Sequence, residues 1–233
     1  LSIQMLTEAG QAIDQAVEQG ARALLISGEG RAFSAGLDLQ DANERQMQGN
    51  QEDVLSAYFM PFARKLAGLP IPVIAAINGG AIGGGCAIAL SADIIIAGRS
   101  AFLQCPFVKL GLVPDTGISW LIAQAVGRTR AMEILMLGER IPAEEALASG
   151  LITQIVRDEA LLETARDISL RLAEGATVAL GLIRKQVMKA LTLGFDDMLE
   201  VEHDHQQVAG ATRDVKEGLA AFADRRSPVF SGK

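Results

Sequence analysis

The hydrophobic positions of the first half of the chain alternate between the spacing of helices and that of buried strands. Apolar residues such as Leu6, Ile13 and Val17 recur at helical spacing, which predicts an amphipathic helix over about residues 4–19. Short apolar runs predict buried strands at 23–26, 72–77, 93–97 and 151–156. Further helical patterns lie between these runs, at about 54–66, 81–90, 116–126 and 128–137. Strands that alternate with helices predict an α/β fold with a buried, mostly parallel sheet.

The pattern changes near Asp158, because the rest of the chain has helical periodicity only. Helices are predicted at about 159–173, 177–192, 196–209 and 213–223, followed by an extended tail at 225–233. We therefore divide the chain into a core, residues 1–157, and a helical C-terminal region, residues 158–233. Residues 40–52 are polar and rich in Gln and Asn, which predicts a mobile surface segment.

Charge and composition exclude some classes of partner. A net charge of −7 argues against a nucleic-acid-binding surface, which needs a basic face. No uninterrupted apolar run reaches the roughly 18 residues of a membrane span. Cys86 and Cys105 both lie in apolar surroundings, which favours two buried thiols of a cytoplasmic protein over a disulfide. The chain begins with Leu1 on a helical pattern, so we expect a protein without a signal peptide and with residues missing from its N-terminus.

Two glycine-bearing stretches, 31–39 and 78–90, each follow an apolar run. The second leads directly into a predicted helix, whose first amides have no partner within that helix. Two such N–H groups aimed at one point would form an oxyanion hole, which stabilises negative charge on a carbonyl oxygen. A phosphate-binding loop is disfavoured, because neither the P-loop nor the dinucleotide-binding pattern is present. That Gly83, Gly84 and Gly85 serve only close helix packing remains open.

A carboxylate is the best candidate for acid–base chemistry. His203 and His205 are the only histidines, and their spacing places them on different faces of a helix, so a solvated surface is favoured over a metal site. Asp115 lies on a loop between apolar stretches, just before a predicted helix. The pattern alone favours a helix N-cap aspartate. Burial in an apolar pocket would instead raise the pKa of Asp115 and make it a base near neutral pH.

Taken together, these landmarks resemble the crotonase family, also called the enoyl-CoA hydratase/isomerase superfamily, over essentially the whole chain. The matching stretches are 33–39, 78–85, 92–93, 111–115, 127–128, 131–133, 146, 150–151, 222 and 226–232. Within the family, the chain is most similar to the ring-epoxide and enoyl-CoA isomerases of the phenylacetyl-CoA pathway. The resemblance implies a spiral of ββα turns and a C-terminal helical region that builds trimers, often paired into hexamers.

The resemblance also implies roles for particular residues. The backbone N–H groups of Leu37 and Gly84 would hold the thioester oxygen of an acyl-CoA substrate. The residues that would contact coenzyme A are Arg31, Ala35, Asp38, Leu39, Gln40 and Gly83. Arg31 is the favoured cation for the phosphates of coenzyme A, with Lys65, Arg225 and Lys233 as weaker candidates. Coenzyme A is part of the substrate, so no bound cofactor and no metal are expected.

Two departures from the family pattern bear on the reaction. The positions of the two glutamates that family hydratases use to activate water are occupied by Ala87 and Phe107. We therefore predict an isomerase in which Asp115 moves the proton and Ala87, Cys105 and Phe107 line a dry acyl pocket. A weak or promiscuous enoyl-CoA hydratase, and a non-catalytic CoA-thioester-binding scaffold, remain the alternatives.

Overall fold

The computed structural model describes residues 1–38 and 53–233. The first half of the chain contains α1 (Ile3–Glu18), β1 (Leu24–Ser27), β2 (Ala32–Ser34), a π-helical turn (Leu55–Phe59) that continues into α2 (Met60–Gly68), β3 (Val73–Ile77), β4 (Gly80–Ile82), α3 (Gly84–Leu90), β5 (Ile94–Gly98) and β6 (Phe102–Gln104). The second half contains a 3₁₀-helix (Pro106–Leu110), α4 (Ile118–Leu137), β7 (Arg140–Pro142), α5 (Ala143–Ala148), β8 (Gln154–Val156), α6 (Leu161–Ala173), α7 (Thr177–Ala190), α8 (Phe195–Gly210) and α9 (Arg213–Asp224).

The strands form two sheets of four strands each, with the orders β1-β3-β5-β8 and β2-β4-β6-β7. Every pair is parallel except β6–β7, which is antiparallel. The pairs β1–β2, β3–β4 and β5–β6 each give one strand to each sheet, so the chain winds as a spiral of ββα-type turns. The predicted α/β class and the mostly parallel pairing are confirmed.

The hydrophobic pattern alone did not predict the second sheet, although the family resemblance implied two strands in each turn. Its four strands have three residues each, which is too short for a periodic pattern to emerge. Ala81 was expected to begin a helix, but it lies in β4 and pairs with Leu103 of β6. The helix begins only at Gly84, after Gly83 has turned the chain with φ of +55°.

The core is apolar on both faces of the first sheet, as parallel sheets require. Every residue of β3 is buried, and so is every residue of α3, which packs against α4. Helix α4 spans 20 residues but breaks at Gly127, whose φ of 73° and ψ of 167° are not helical. The break between the two helices predicted on either side of Gly127 is therefore confirmed, and α4 consists of two helical segments joined by a kink at this residue.

The C-terminal helices are joined to this core. Helix α6 packs against β1, β3 and β5, so Leu161 and Ala165 belong to the buried cluster on that face of the first sheet. The division at residues 157/158 stays a prediction, since the helical region shares apolar contacts with the core. Within the described residues, no helix has both the length and the apolar character that a membrane crossing requires.

Candidate active site

Three chain segments meet at one edge of the second sheet. Strands β2, β4 and β6 are parallel neighbours, so their C-terminal ends lie on the same side. Gly36 and Leu37 follow β2, Gly83 and Gly84 follow β4, and the segment containing Phe107 follows β6. Ligands of α/β proteins commonly bind at the carboxyl ends of parallel strands, so this edge of the sheet is a candidate binding site.

Two glycines bring the predicted oxyanion-hole segments into contact. Gly36 and Gly83 both have positive φ, +90° and +55°. A Cβ atom on Gly36 would lie 2.9 Å from the Ile82 carbonyl oxygen, and one on Gly83 would lie 4.0 Å from the Gly36 Cα. The residues that follow, Leu37 and Gly84, therefore lie on adjacent strands of backbone. Within residues 1–38 and 53–233, neither the Leu37 N–H nor the Gly84 N–H donates a hydrogen bond to an acceptor.

Close packing explains part of the glycine run. A Cβ atom on Gly85 would lie 2.4 Å from the Ser34 Cβ, so α3 can lie against β2 only if residue 85 is glycine. A Cβ atom on Gly84 would lie 2.9 Å from the Phe59 ring. The packing interpretation thus accounts for Gly85 and contributes at Gly84, whereas the oxyanion role of Gly84 and Leu37 stays a prediction.

Asp115 is not a helix N-cap. Helix α4 begins at Ile118, and its N-cap is Gly117 in the left-handed conformation. The Asp115 carbonyl accepts a hydrogen bond of 3.0 Å from the Ile118 N–H, and its carboxylate Oδ1 accepts one of 2.8 Å from the Thr116 hydroxyl. The N-cap interpretation, which the sequence pattern favoured, is therefore wrong.

The pKa of the half-buried Asp115 carboxyl is raised above its ordinary value. Burial is the larger cause, because the charged form loses hydration, and the hydrogen bond from Thr116 opposes this effect. A carboxylate with a raised pKa is a better proton acceptor at neutral pH than an ordinary surface aspartate.

Asp115 lines a mainly apolar cavity of about 740 Å³. This volume lies within the range of pockets that hold small-molecule ligands. Helix α2, the loop before α4, the start of α4 and helix α7 all contribute to the walls. The lining residues are Leu55, Met60, Ala63, Arg64, Ala67, Ser91, Leu112, Val113, Pro114, Asp115, Thr116, Gly117, Ser119, Trp120, Leu121 and Met188.

The cavity does not contain the residues predicted to line the acyl pocket. Ala87 and Cys105 are fully enclosed in the core, and the Phe107 ring lies 3.9 Å from the position of a Cβ atom on Gly83. Leu37 and Gly84 are not among the described lining residues either. The structure thus brings the two predicted oxyanion-hole segments together at the edge of the second sheet. Asp115 lies in the wall of the cavity, which these two segments do not line. The acyl-pocket role of Ala87, Cys105 and Phe107 stays a prediction.

The two cysteines are free and buried, as predicted. Their Sγ atoms lie 3.6 Å apart, with the Cys105 thiol donating to Cys86. The pKa of the Cys86 thiol is raised well above its ordinary value by this hydrogen bond and by burial. The Cys86 thiol therefore stays protonated, and both side chains are enclosed in the core.

The predicted coenzyme A contacts are only partly described. Arg31, Ala35 and Asp38 are exposed on the segments that flank β2, whereas Leu39 and Gln40 lie outside the described residues, as does the segment 40–52 that was predicted to be mobile. The ammonium group of Lys65 binds the Asp14 carboxylate and donates to the Gly10 carbonyl, so this weaker phosphate candidate already has an anionic partner.

The two histidines are not part of a metal-binding group among the described residues. The His203 ring lies 3.5 Å from the Asp204 carboxylate on the exposed face of α8. Within residues 1–38 and 53–233, no group of three or more His, Cys, Asp or Glu side chains is arranged to hold a metal ion.

Sequence reasoning missed most of the cavity walls. Met60 and Arg64 come from α2, and Met188 comes from α7, which lies far along the chain. Apolar residues at helical spacing were assigned to the core, and no local signal distinguishes those that face a cavity. Thr116 was also missed, because a left-handed conformation at a β-branched residue has no sequence signature.

Comparison with known proteins agrees with this geometry. The enoyl-CoA hydratase/isomerase family model matches residues 1–233. A 1,2-epoxyphenylacetyl-CoA isomerase of Escherichia coli K12 is 44% identical over 215 residues, which cover 91% of this chain and 82% of that protein. The crystal structure of an enoyl-CoA hydratase from Bacillus anthracis superposes with a TM-score of 0.90 at 31% identity, covering 100% of this chain and 90% of that one. The crystal structure of an enoyl-CoA hydratase/isomerase from Cupriavidus metallidurans CH34 has a TM-score of 0.89 at 28% identity. The match covers 98% of this chain and 86% of that one.

The family match spans the whole chain, and the two structural neighbours cover 100% and 98% of it. The resemblance inferred from the sequence landmarks is thereby confirmed. The chain belongs to the enoyl-CoA hydratase/isomerase family and has the crotonase fold.

Proposed function

We propose that the protein is an acyl-CoA isomerase that shifts a double bond or rearranges a ring in a CoA thioester. The observation that carries this proposal is the environment of Asp115. Its carboxyl is half-buried in an apolar cavity and is the only acidic side chain among the described residues that line it. The hydratases of the family use two glutamates to activate water, whereas isomerisation needs only one base that gives back the proton it removes.

The proposed reaction has two proton transfers. Asp115 takes a proton from a carbon beside the conjugated system, and the electrons of the broken C–H bond move into the thioester, forming an enolate. The N–H groups of Leu37 and Gly84 stabilise the enolate oxygen, and each donor of this type contributes about 10²–10³ in rate. Asp115 then returns the proton to a different carbon, so the product is an isomer of the substrate.

The walls of the cavity support a non-aqueous reaction. Met60, Trp120, Leu121 and Met188 supply apolar surface around Asp115. A thioester bound against this surface would displace water, which would otherwise compete for the enolate and weaken each electrostatic contact. The name of the E. coli relative supports ring-derived CoA thioesters as the substrate class, and the family description supports enoyl-CoA thioesters.

A weak or promiscuous enoyl-CoA hydratase is the second candidate. It is favoured by the structural neighbours named as hydratases, such as that of B. anthracis. Against it stand the side chains of Ala87 and Phe107, which cannot bind or deprotonate water. A protein that binds CoA thioesters without turnover is the third candidate.

A homo-trimer, or a hexamer of two trimers, is part of the proposal. Phe195 on α8 and Phe222 on α9 expose 78% and 86% of their surface, and Leu219 is exposed beside Phe222 on α9. Large exposed apolar side chains of this kind are consistent with a protein interface in the C-terminal region. Light scattering coupled to size-exclusion chromatography would determine the number of subunits.

A cytoplasmic location is expected from the composition.

The decisive experiment compares the wild type with Asp115→Asn on a 3-enoyl-CoA ester and on crotonyl-CoA. The asparagine variant should lose conversion of the 3-enoyl to the 2-enoyl ester by at least about 10², the usual minimum for a general base. Its affinity for coenzyme A should stay close to that of the wild type. Asp167→Asn, at an exposed aspartate of α6, is the matched control and should keep wild-type turnover.

Three results would count against the proposal. Full turnover by Asp115→Asn would remove Asp115 from the reaction. Hydration of crotonyl-CoA at a rate equal to isomerisation would favour the hydratase. Tight thioester binding without turnover of either substrate would favour the binding protein.

A further inference from the structure

We infer that Thr116 is a positioning residue that fixes the Asp115 carboxylate so that Oδ2 alone is free to exchange a proton with the substrate. This inference rests on the proposed role of Asp115 as the base. It assigns a task to a side chain that the sequence analysis did not single out.

The backbone at Thr116 is held in an unfavourable conformation. Its φ is +53°, in the left-handed region that β-branched residues rarely occupy, and the next residue, Gly117, also has positive φ. Such a conformation persists only where the surrounding structure stabilises it, and it is enriched at functional sites. Asparagine or glycine would fit this backbone better, so a threonine here suggests that its side chain is needed.

The threonine side chain makes one directed contact. Thr116 is only 9% exposed, and its Oγ1 donates a 2.8 Å hydrogen bond to Asp115 Oδ1. Asp115 Oδ2 has no hydrogen-bond partner within residues 1–38 and 53–233. Both residues line the same cavity. The two carboxylate oxygens are therefore unequal, with one held by the protein and the other left for the substrate.

This arrangement would serve both halves of the reaction. A hydroxyl that donates to a carboxylate favours the ionised form, which must be present before proton removal. When Oδ2 accepts the substrate proton, the bond from Thr116 to Oδ1 does not have to break. The carboxyl group can then return the proton to another carbon without rotating about its own bond.

The balance of effects on Asp115 agrees with this assignment. Burial raises the pKa of Asp115, and the Thr116 hydrogen bond opposes that rise. The other charged side chain among the described cavity residues is Arg64 of α2, and it remains in place when Thr116 is changed. Loss of the hydroxyl should therefore move the pKa of Asp115 upward and the acidic limb of the rate profile with it.

The test uses variants that separate the hydroxyl from the shape of the side chain. Thr116→Val keeps the branched shape without the hydroxyl, Thr116→Ala removes both, and Thr116→Ser keeps the hydroxyl. Thr7→Val, at an exposed threonine of α1 outside this cavity, controls for the same chemical change elsewhere. Circular dichroism and the melting temperature identify the variants that fold, and either the valine or the alanine variant is sufficient.

The probe reaction is exchange of the α-protons of phenylacetyl-CoA for deuterium, together with isomerisation of a 3-enoyl-CoA ester. For a folded Thr116→Val or Thr116→Ala variant, we expect kcat to fall about tenfold to a hundredfold, with KM within about twofold, since the base is misplaced while binding is kept. The acidic limb of kcat/KM should move to higher pH. Thr116→Ser should restore both the rate and the limb.

The outcomes distinguish this inference from the proposed function. If Asp115→Asn is inactive but the valine and alanine variants have the wild-type rate and limb, the positioning role alone is overturned. If the serine variant loses as much activity as the valine variant, Thr116 supports only the turn. If Asp115→Asn exchanges protons as fast as the wild type, the proposed base and this inference fail together.

Discussion

Replacing Gly85 with alanine tests whether the contact between α3 and β2 sets the geometry of the oxyanion-hole segments. A Cβ atom on residue 85 would lie 2.4 Å from the Ser34 Cβ, 2.6 Å from its Oγ and 3.0 Å from its carbonyl oxygen. Rotation of the Ser34 side chain cannot relieve this clash, because its Cβ atom does not move with χ1. The helix and the strand must separate, and restoring an ordinary contact of 3.4 Å requires a shift of about 1 Å.

Two opposing terms determine the change in stability. Alanine in place of glycine within a helix is favourable by about 1 kcal/mol. Overpacking a well-filled contact costs about 1–3 kcal/mol. The free energy of unfolding should therefore fall by about 0–2 kcal/mol, and the melting temperature by up to about 8 °C in a protein of this size.

The effect on turnover should be larger than the effect on stability. The Ser34 hydroxyl accepts a 3.2 Å hydrogen bond from the Gly36 N–H, so movement of β2 reaches the segment that carries Leu37. A displacement of about 1 Å at a catalytic group can reduce the rate about 10²-fold. Isomerisation of a 3-enoyl-CoA ester, measured below the melting temperature, should show a loss of this order.

Gly10→Ala is the matched control. Gly10 also lies inside a helix, but a Cβ atom there would meet Lys65 and Phe62 at 3.8 and 3.9 Å, which are ordinary contacts. This variant should be stabilised by up to about 1 kcal/mol and keep its activity. If Gly85→Ala behaved like Gly10→Ala in both assays, the argument that α3 and β2 hold the site in register would be refuted.

Three other predictions concern stability and reactivity. Arg184→Met should lower the free energy of unfolding in urea by about 1–3 kcal/mol, because the two carbonyls at the end of α2 that accept from the buried guanidinium lose their partner and Asp93 loses its counter-ion; an unchanged free energy of unfolding would contradict this. Asp115→Asn should be more stable than the wild type at pH 7, because the raised pKa of Asp115 means that wild-type stability falls as pH rises from the unfolded-state pKa to the folded-state pKa. The gain should vanish in acid, where Asp115 is protonated in both the folded and the unfolded state. An equal gain at every pH would refute this prediction. Cys86 and Cys105 should resist a thiol reagent such as iodoacetamide in the native state and react on unfolding; rapid native labelling would show that the core opens.

The first sheet could be predicted because its strands are buried on both faces. Such strands appear in the sequence as short continuous apolar runs, and β3 is the clearest example. The second sheet could be predicted only from the family resemblance and not from periodicity, because Ala32–Ser34 and Gly80–Ile82 are stabilised by their neighbours rather than by their own pattern. Short strands of this kind are determined by tertiary pairing, which a single sequence does not display.

The candidate site was predictable in its chemistry but not in its walls. Asp115 stood out as a carboxylate on an apolar loop, and the glycines around Leu37 and Gly84 indicated close backbone approach. The relation of Asp115 to Met188 depends on how α7 folds back over α2, which has no local signature. The N-cap prediction failed because Thr116 and Gly117 add two left-handed residues before α4, and periodicity does not detect them.

The short links between the paired strands have a consequence for how this protein can change in evolution. Two residues, Asn78 and Gly79, separate β3 from β4, so an insertion there would shift one sheet against the other and turn strand side chains to the wrong face. The chain between β6 and α4 is much longer and carries Asp115 on its last turn. Changes in length or sequence within that loop would alter the reacting group without disturbing either sheet. New substrate ranges should therefore arise there first, while the strand links remain fixed in length.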